Sequence, residues 1–159
     1  PAAPPYELAF LGRVGTGRRR TALARLRSEF RVAPKSIAWG RQRAEFLRCA
    51  AIQLNLHQGE QPVLEGHRFA LAFGASAFLL SEPLPQSAPF VAGVHYAAAP
   101  LADWPDAIRH WLARPDERRA IADAGARHFR ENYTLASALR TLLPVVDAVA
   151  ARPDSMMAE

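Results

Sequence analysis

Cysteine, lysine and long apolar runs are all scarce in this sequence of 159 residues. Its one cysteine, Cys49, excludes an intramolecular disulfide, so the fold is not stapled by disulfides and a reducing, cytoplasmic location is expected. No uninterrupted apolar run approaches the roughly 18 residues of a membrane helix, so we expect no membrane span. Residues 1–5 lack the features of a signal peptide, and we interpret them as a linker or an artificial chain boundary.

The composition that remains is that of a soluble globular domain. Hydrophobic residues make up 50% of the chain and charged residues 22%, which argues against disorder. The net charge of +5 is unevenly distributed, because residues 1–48 carry an excess of eight positive charges and the rest carries an excess of three negative ones. Nineteen of the twenty basic residues are arginine. A basic first third suggests an anionic partner, either a phosphate-bearing small molecule or nucleic acid.

Short apolar segments alternate with amphipathic ones along the chain. Four segments have the apolar character of buried strands: 6–11, 51–56, 77–81 and, more weakly, 94–98. Helical periodicity marks further stretches: 18–30, 40–50, 67–75 and most of the chain after about residue 100. An extended piece is expected around 35–39. This alternation is typical of a parallel sheet covered on both faces. We therefore predict an α/β fold over residues 6–150, a Rossmann-like three-layer domain with a parallel sheet and a helical C-terminus, followed by a flexible tail at 151–159.

Ligands of such folds bind beyond the carboxyl ends of the strands, so the first loop is a candidate phosphate site. The loop contains Gly12, Arg13, Gly15 and Gly17, and Arg19 follows in the next helix. Glycines let the backbone approach an anion, helix N–H groups point at it, and arginine holds phosphate through two hydrogen bonds. The spacing matches neither the dinucleotide fingerprint nor a P-loop. A tight turn followed by a solvated basic helix face remains an alternative.

Two further loops carry polar residues at positions that suit a site. Asn55 and His57 follow a buried strand, and Glu65 and Arg68 stand at a helix entry, where they suit a ribose and a phosphate. A surface histidine and an ordinary capped helix remain the alternatives. The histidines have no metal-ligand spacing, so no metal site is predicted. No residue is assigned a catalytic role.

From about residue 6 to 143 the chain resembles the C-terminal, donor-binding domain of group 1 glycosyltransferases of the GT-B architecture, in the branch of the spore-maturation protein CgeB. Four segments carry the resemblance: FLG at 10–12 with RR at 19–20, IQLNLH at 52–57, RFALAFGASAFLLS at 68–81, and PDER at 115–118 through AG at 124–125 to NYT at 132–134. The family binds a nucleotide sugar in this domain and takes its acceptor site from a separate N-terminal domain. The resemblance implies ligand-contacting roles for Gly12, Arg19, Asn55, His57, Arg68 and Ser81.

The sequence departs from the family pattern at two informative positions. Leu71 stands where the family has a glutamate that holds the donor ribose, so the resemblance makes Glu65 or Glu82 the substitute. Ser76 replaces a family glycine, and its side chain is expected to crowd a ligand that approaches closely.

The leading hypothesis is the donor-binding half of a bacterial glycosyltransferase, which moves a sugar from a nucleotide diphosphate to an unknown acceptor. Its partners would be the nucleotide sugar and an N-terminal acceptor domain or partner chain, and no cofactor is expected beyond the donor itself. The alternative is a non-catalytic glycosyltransferase-like interaction module with a degenerate donor site. Nucleic-acid binding is weaker, because no aromatic residues are interleaved with the arginines as stacking platforms.

Overall fold

Four parallel strands form the centre of the molecule in a computed structural model that describes residues 3–15, 17–34, 39–59 and 63–150. The strands are β1 (Tyr6–Ala9), β2 (Ala50–Asn55), β3 (Leu79–Ser81) and β4 (Ala97–Ala98), hydrogen-bonded in that order. Every pairing between neighbouring strands is parallel. The prediction of a parallel sheet is therefore confirmed.

Six α-helices follow or separate the strands in the described part of the chain. They are α1 (Gly17–Arg27), α2 (Gly40–Arg48), α3 (Gly66–Gly74), α4 (Trp104–Leu112), α5 (Pro115–Asn132) and α6 (Leu135–Ala150). Prolines stand in the first turn of α4 and α5, where their missing N–H groups need no partner within the helix.

Successive side chains along the strands point to opposite faces of the sheet, and helices cover both faces. Ile52 of β2 and Leu80 of β3 belong to one buried cluster with side chains of α1 and α4. The neighbouring Gln53 faces the other way, and its side-chain amide donates to the Leu47 carbonyl of α2 at 2.9 Å. Leu79 packs on that second side with the aromatic rings of α3. The three-layer Rossmann-like arrangement is confirmed.

Two segments differ from the sequence-based expectation. Residues 35–38 lie outside the described residues, and the extended pairing next to them occurs earlier, where Val32 forms a parallel bridge to Leu8. The weak strand predicted at 94–98 is reduced to β4, because the N–H of His95 bonds back to Val91 and closes a turn.

The backbone around α3 has two features that depend on side-chain size. Ser76, just past the end of this helix, has a φ of 52°, in the left-handed region that favours glycine. Helix α5 crosses α3 at Gly125, where an added Cβ would lie 2.6 Å from the carbonyl oxygen of His95 and 2.7 Å from Cε1 of Phe73. The crossing therefore requires a residue without a side chain.

Helix α6 has a large apolar surface that no described residue covers. None of its residues is buried, and Leu135 is 76% exposed. The helical stretch Pro115–Ala150 is long and apolar enough to cross a membrane by length and composition alone. No uninterrupted apolar run within it reaches that length. The expectation of no membrane span stays a prediction, as does the flexible tail at 151–159, which lies outside the described residues.

Candidate functional site

The carboxyl ends of β1, β2 and β3 converge on one edge of the sheet. Because the strands are parallel and in register, the residues that follow them lie side by side there. Asn55 pairs with Ser81 across β2 and β3, and the Asn55 Nδ2 group donates to the Ser81 Oγ at 2.9 Å. The polar strand ends that the sequence predicted as site residues are thus brought together.

Glu82 forms the buried anchor of this edge. It is 7% exposed and accepts a hydrogen bond from Arg18 Nη1 at 3.0 Å. The backbone N–H of His57 donates to the same carboxylate at 2.8 Å. Burial by itself would raise the pKa of Glu82, but the hydrogen bonds from Arg18 and His57 outweigh it and lower that pKa. Glu82 is therefore a charged structural link between α1 and β2.

Glu65 forms a second ion-pair cluster with two arginines. Its Oε1 lies 3.0 Å from Arg19 Nη2, and its Oε2 lies 2.6 Å from Arg68 Nη2. Arg19 Nε also donates to the Leu56 carbonyl at 2.9 Å, and Arg68 donates to the Leu11 carbonyl. Burial lowers the pKa of Arg19 and Glu65 opposes this shift, while the guanidinium stays charged at neutral pH.

The ring of Phe10 packs against both of these arginines. The guanidinium carbons of Arg19 and Arg68 lie 5.3 and 5.0 Å from its centroid. Since cations are attracted to an aromatic face, the ring holds both groups against the end of β1. Gly12 makes this possible, because an added Cβ would lie 3.0 Å from Arg68 Nη1.

His57 lies beneath the two clusters with both ring nitrogens buried and without a hydrogen-bond partner among the described residues. Its Nδ1 lies 4.0 Å from Glu65 Oε1. Burial lowers the pKa of His57, although Glu82 and Glu65 both oppose the shift, so the ring is neutral at pH 7. The Asn55 Oδ1 is likewise buried without a described partner. Such orphaned polar groups are uncommon in stable interiors and are typical of sites that bind water or a ligand.

A cavity of about 750 Å³ opens above these residues. Its walls carry four arginines and one carboxylate: Arg13, Arg19, Arg43, Arg68 and Glu65. The excess of positive charge makes the cavity suitable for an anion, and its volume lies within the range of small-molecule sites, about 300–1,000 Å³.

The sequence-predicted residues separate into three groups. Five of them line the cavity: Gly12, Arg13, Arg19, Glu65 and Arg68. Four are buried and are not on the cavity wall: Asn55, His57, Ser81 and Glu82. Two have open space at the position of a Cβ and are not on the cavity wall: Gly15 and Gly17, the latter as the first residue of α1.

Three residues of this region are not predicted from the sequence. Arg18 is one of the arginines of the basic first third, and its pairing with Glu82 depends on a contact 64 positions away in the chain. Trp39 and Arg43 line the cavity from the start of α2. The only sequence signal for Trp39 and Arg43 is their separation of four residues, which places them on the same face of a helix next to a glycine.

The two departures from the family pattern have different structural meanings. Leu71 lines the cavity, as the resemblance implies for this position. Ser76 follows the opposite end of α3 from Glu65, roughly 15 Å away at 1.5 Å per helical residue. Ser76 is not among the residues that line the cavity, and a glycine suits this position because of the positive φ, so the expectation that Ser76 crowds the ligand stays a prediction.

No metal site accompanies the cavity in the part of the chain that the structure describes. It contains no group of three or more histidine, cysteine, aspartate or glutamate side chains that could hold an ion. The charged groups on the cavity wall are the guanidinium groups, which can bind an anion, and the carboxylate of Glu65.

A parallel sheet covered by helices, with a charged cavity at the carboxyl ends of its strands, defines a Rossmann-like α/β domain of the ligand-binding kind. The chain belongs to the family described as glycosyl transferase-like, whose model matches residues 16–144. The resemblance to glycosyltransferases is thereby confirmed, whereas the CgeB-like branch stays a prediction. No curated protein matches the sequence.

A similar solved structure is that of HepE from Anabaena in complex with UDP and glucose. The TM-score is 0.62 at 10% sequence identity, over 81% of this chain and 35% of the HepE chain. At this identity the likeness shows the fold alone. The chain spans about a third of the length of the HepE chain.

Proposed function

We propose that this chain is the donor-binding half of a bacterial, cytoplasmic glycosyltransferase of the GT-B architecture, in the CgeB-like branch. It would hold a nucleoside diphosphate sugar while the sugar moves to an acceptor. The observation that carries the proposal is the cavity at the carboxyl edge of the sheet, with four arginines and one glutamate on its wall. The UDP and glucose bound by HepE, which has the same fold, support this substrate class.

The diphosphate would lie against Gly12 and Arg13, near the beginning of α1. Arg19 and Arg68 would add positive charge from the cavity wall. Both pair with the single carboxylate of Glu65, so the three side chains together keep a net positive charge. When the sugar leaves, negative charge grows on the terminal phosphate. Fixed guanidinium groups stabilise that charge without having to reorganise, which is how the domain would contribute to the rate.

Glu65 is the substitute that we propose for the ribose-binding glutamate absent at Leu71. Both Glu65 and Leu71 line the cavity, whereas Glu82 is buried under Arg18 and His57. A carboxylate held by two arginines keeps lone pairs for a hydroxyl donor, because its two oxygens offer about four acceptor positions.

The acceptor and any general base would come from a separate domain or chain. Among the described cavity residues, Glu65 is committed to two arginines and is therefore a poor base. The greater length of HepE supports a missing acceptor domain. No cofactor and no metal would be needed, because the leaving group is stabilised by arginine.

A second candidate function is a non-catalytic glycosyltransferase-like interaction module. Leu71 favours this reading, since a leucine cannot accept a hydrogen bond from a ribose hydroxyl. Nucleic-acid binding has less support, because Trp39 is the only aromatic side chain among the described cavity residues and single strands need successive stacking platforms. DNA binding that persists at about 0.2 M salt would favour that function, since purely electrostatic contacts fade there.

Titration of UDP against the folded chain, followed by calorimetry, tests the proposal. We expect saturable binding, and absence of binding at millimolar UDP with the fold intact would overturn it. The variant Leu71→Glu then separates the two readings, with Leu71→Gln as the control of similar size. A gain in affinity with glutamate alone indicates a degenerate site, whereas no gain or a loss indicates a working site built on Glu65.

A further inference from the structure

Trp39 is the most exposed aromatic side chain of the described residues, at 74%. It immediately precedes α2 and lines the same cavity as Gly12 and Leu71. Tryptophan carries a large apolar surface, so full exposure of its ring to water is unfavourable unless a partner covers it. Its position on the wall of a charged cavity suggests that the partner is the ligand.

Arg43 supports the ring from one side. Its guanidinium carbon lies 5.9 Å from the centroid of Trp39, four residues further along α2. A cation over an indole restricts its orientation. The two side chains therefore form a partly ordered flat surface beside a site that suits phosphate.

We propose that Trp39 stacks against the base of a nucleoside diphosphate whose phosphates bind at Gly12 and Arg13. A nucleotide has both of the features that the cavity complements, a planar π-system and a strongly negative group. Base stacking on an aromatic side chain tolerates any base, because every base has a π-face. Trp39 thus contributes affinity for nucleotides as a class, and other contacts would select the base.

The cavity accommodates such a ligand. Its volume of about 750 Å³ exceeds what a lone phosphate or pyrophosphate would fill. The wall has an aromatic residue at the start of α2 and cationic residues in the loop after β1 and at the start of α3. A ligand of two parts, one planar and one anionic, uses both.

The test compares two probes, UDP and inorganic pyrophosphate, on the full chain and on Trp39→Leu. This inference rests on the proposed function, so pyrophosphate reports on the phosphate site alone. We expect Trp39→Leu to weaken UDP binding about tenfold or more and to leave pyrophosphate binding unchanged. Trp39→Phe keeps a ring and should retain most of the UDP affinity. Circular dichroism should show that the exposed substitutions leave the fold intact.

A second pair of variants separates failure of the inference from failure of the proposed function. Arg13→Gln should weaken both probes, whereas Arg20→Gln, an exposed arginine of α1 off the cavity wall, should weaken neither. If Trp39→Leu weakens neither probe or both equally, base stacking is overturned and the phosphate site stands. If pyrophosphate binds and UDP binds no better, stacking is again overturned. If neither probe binds, the proposed function falls together with the inference.

Discussion

The crossing of α5 over α3 makes a sharp prediction about Gly125. Replacing it with alanine adds one methyl group where the backbone carbonyl of His95 would lie 2.6 Å away and Cε1 of Phe73 2.7 Å away. Neither neighbour can move easily. The first is backbone, and the second is a fully buried ring held by edge-on contacts with Phe69 and Phe90.

Two opposing effects determine the change in the free energy of unfolding. Alanine is a better helix former than glycine by about 1 kcal/mol. Overpacking a well-filled contact costs about 1–3 kcal/mol, and a clash with backbone belongs at the upper end of that range. The net loss for Gly125→Ala is therefore about 2 kcal/mol, which lowers the Tm of a domain of this size by about 4–8 °C.

Gly74 is the matched control for this substitution. It is exposed at the end of α3, and an added Cβ would have no neighbour within 4 Å. Gly74→Ala should therefore raise stability by about 0.5–1 kcal/mol, because it restricts the unfolded chain. Thermal unfolding of both variants by circular dichroism measures the contrast. A Gly125→Ala protein as stable as the original chain would refute the argument that this helix crossing requires glycine.

Two further predictions concern α3 and the buried ion pair. Ser76→Gly should stabilise the chain by about 0.5–1 kcal/mol, because glycine adopts the positive φ without strain. The control Ala75→Gly, at the neighbouring position, should destabilise it. Denaturant titration compares the two variants, and a Ser76→Gly protein less stable than the original chain would contradict the argument that Ser76 is strained. Glu82→Gln should destabilise by about 1.5–3 kcal/mol at pH 7, because it removes the charged carboxylate that accepts hydrogen bonds from Arg18 and from the backbone N–H of His57. Since the folded pKa of Glu82 lies below its ordinary value of about 4.3, the contribution of the carboxylate is present above that value and disappears as the pH falls through the folded pKa. The difference in the free energy of unfolding between the original chain and Glu82→Gln should therefore become smaller below about pH 4.3. A difference that does not change with pH would contradict the role of the Glu82 charge.

Sequence patterning predicted the elements well where the pattern is local. Apolar strands and helical periodicity are set by neighbouring residues, so β1, β2 and α3 lie close to their expected positions. The short β4 was predicted too long, because a hydrogen-bonded turn with Gly93 at a φ of 80° occupies the residues before it. The helical periodicity after about residue 100 predicted α6, but periodicity does not say what covers its apolar face.

The candidate site was predictable only in its location. Rules for parallel sheets bring Asn55, His57 and Ser81 to one edge. The pairing of Arg18 with Glu82 was not predictable, because a long-range ion pair leaves no periodic signal. Trp39 was missed for a similar reason, since an aromatic residue before a helix is ordinary in sequence.

By itself, then, the sequence determined the order of strands and helices, the parallel sheet and the edge at which polar residues collect, because these follow from local periodicity and from strand direction. Only the tertiary structure decided which groups face the cavity. Glu65 lies on its wall, whereas Glu82 is buried away from that wall, a distinction between two carboxylates that are equivalent in sequence. The physical reason is that burial and charge pairing depend on contacts between residues far apart in the chain, and those contacts form only when the layers pack.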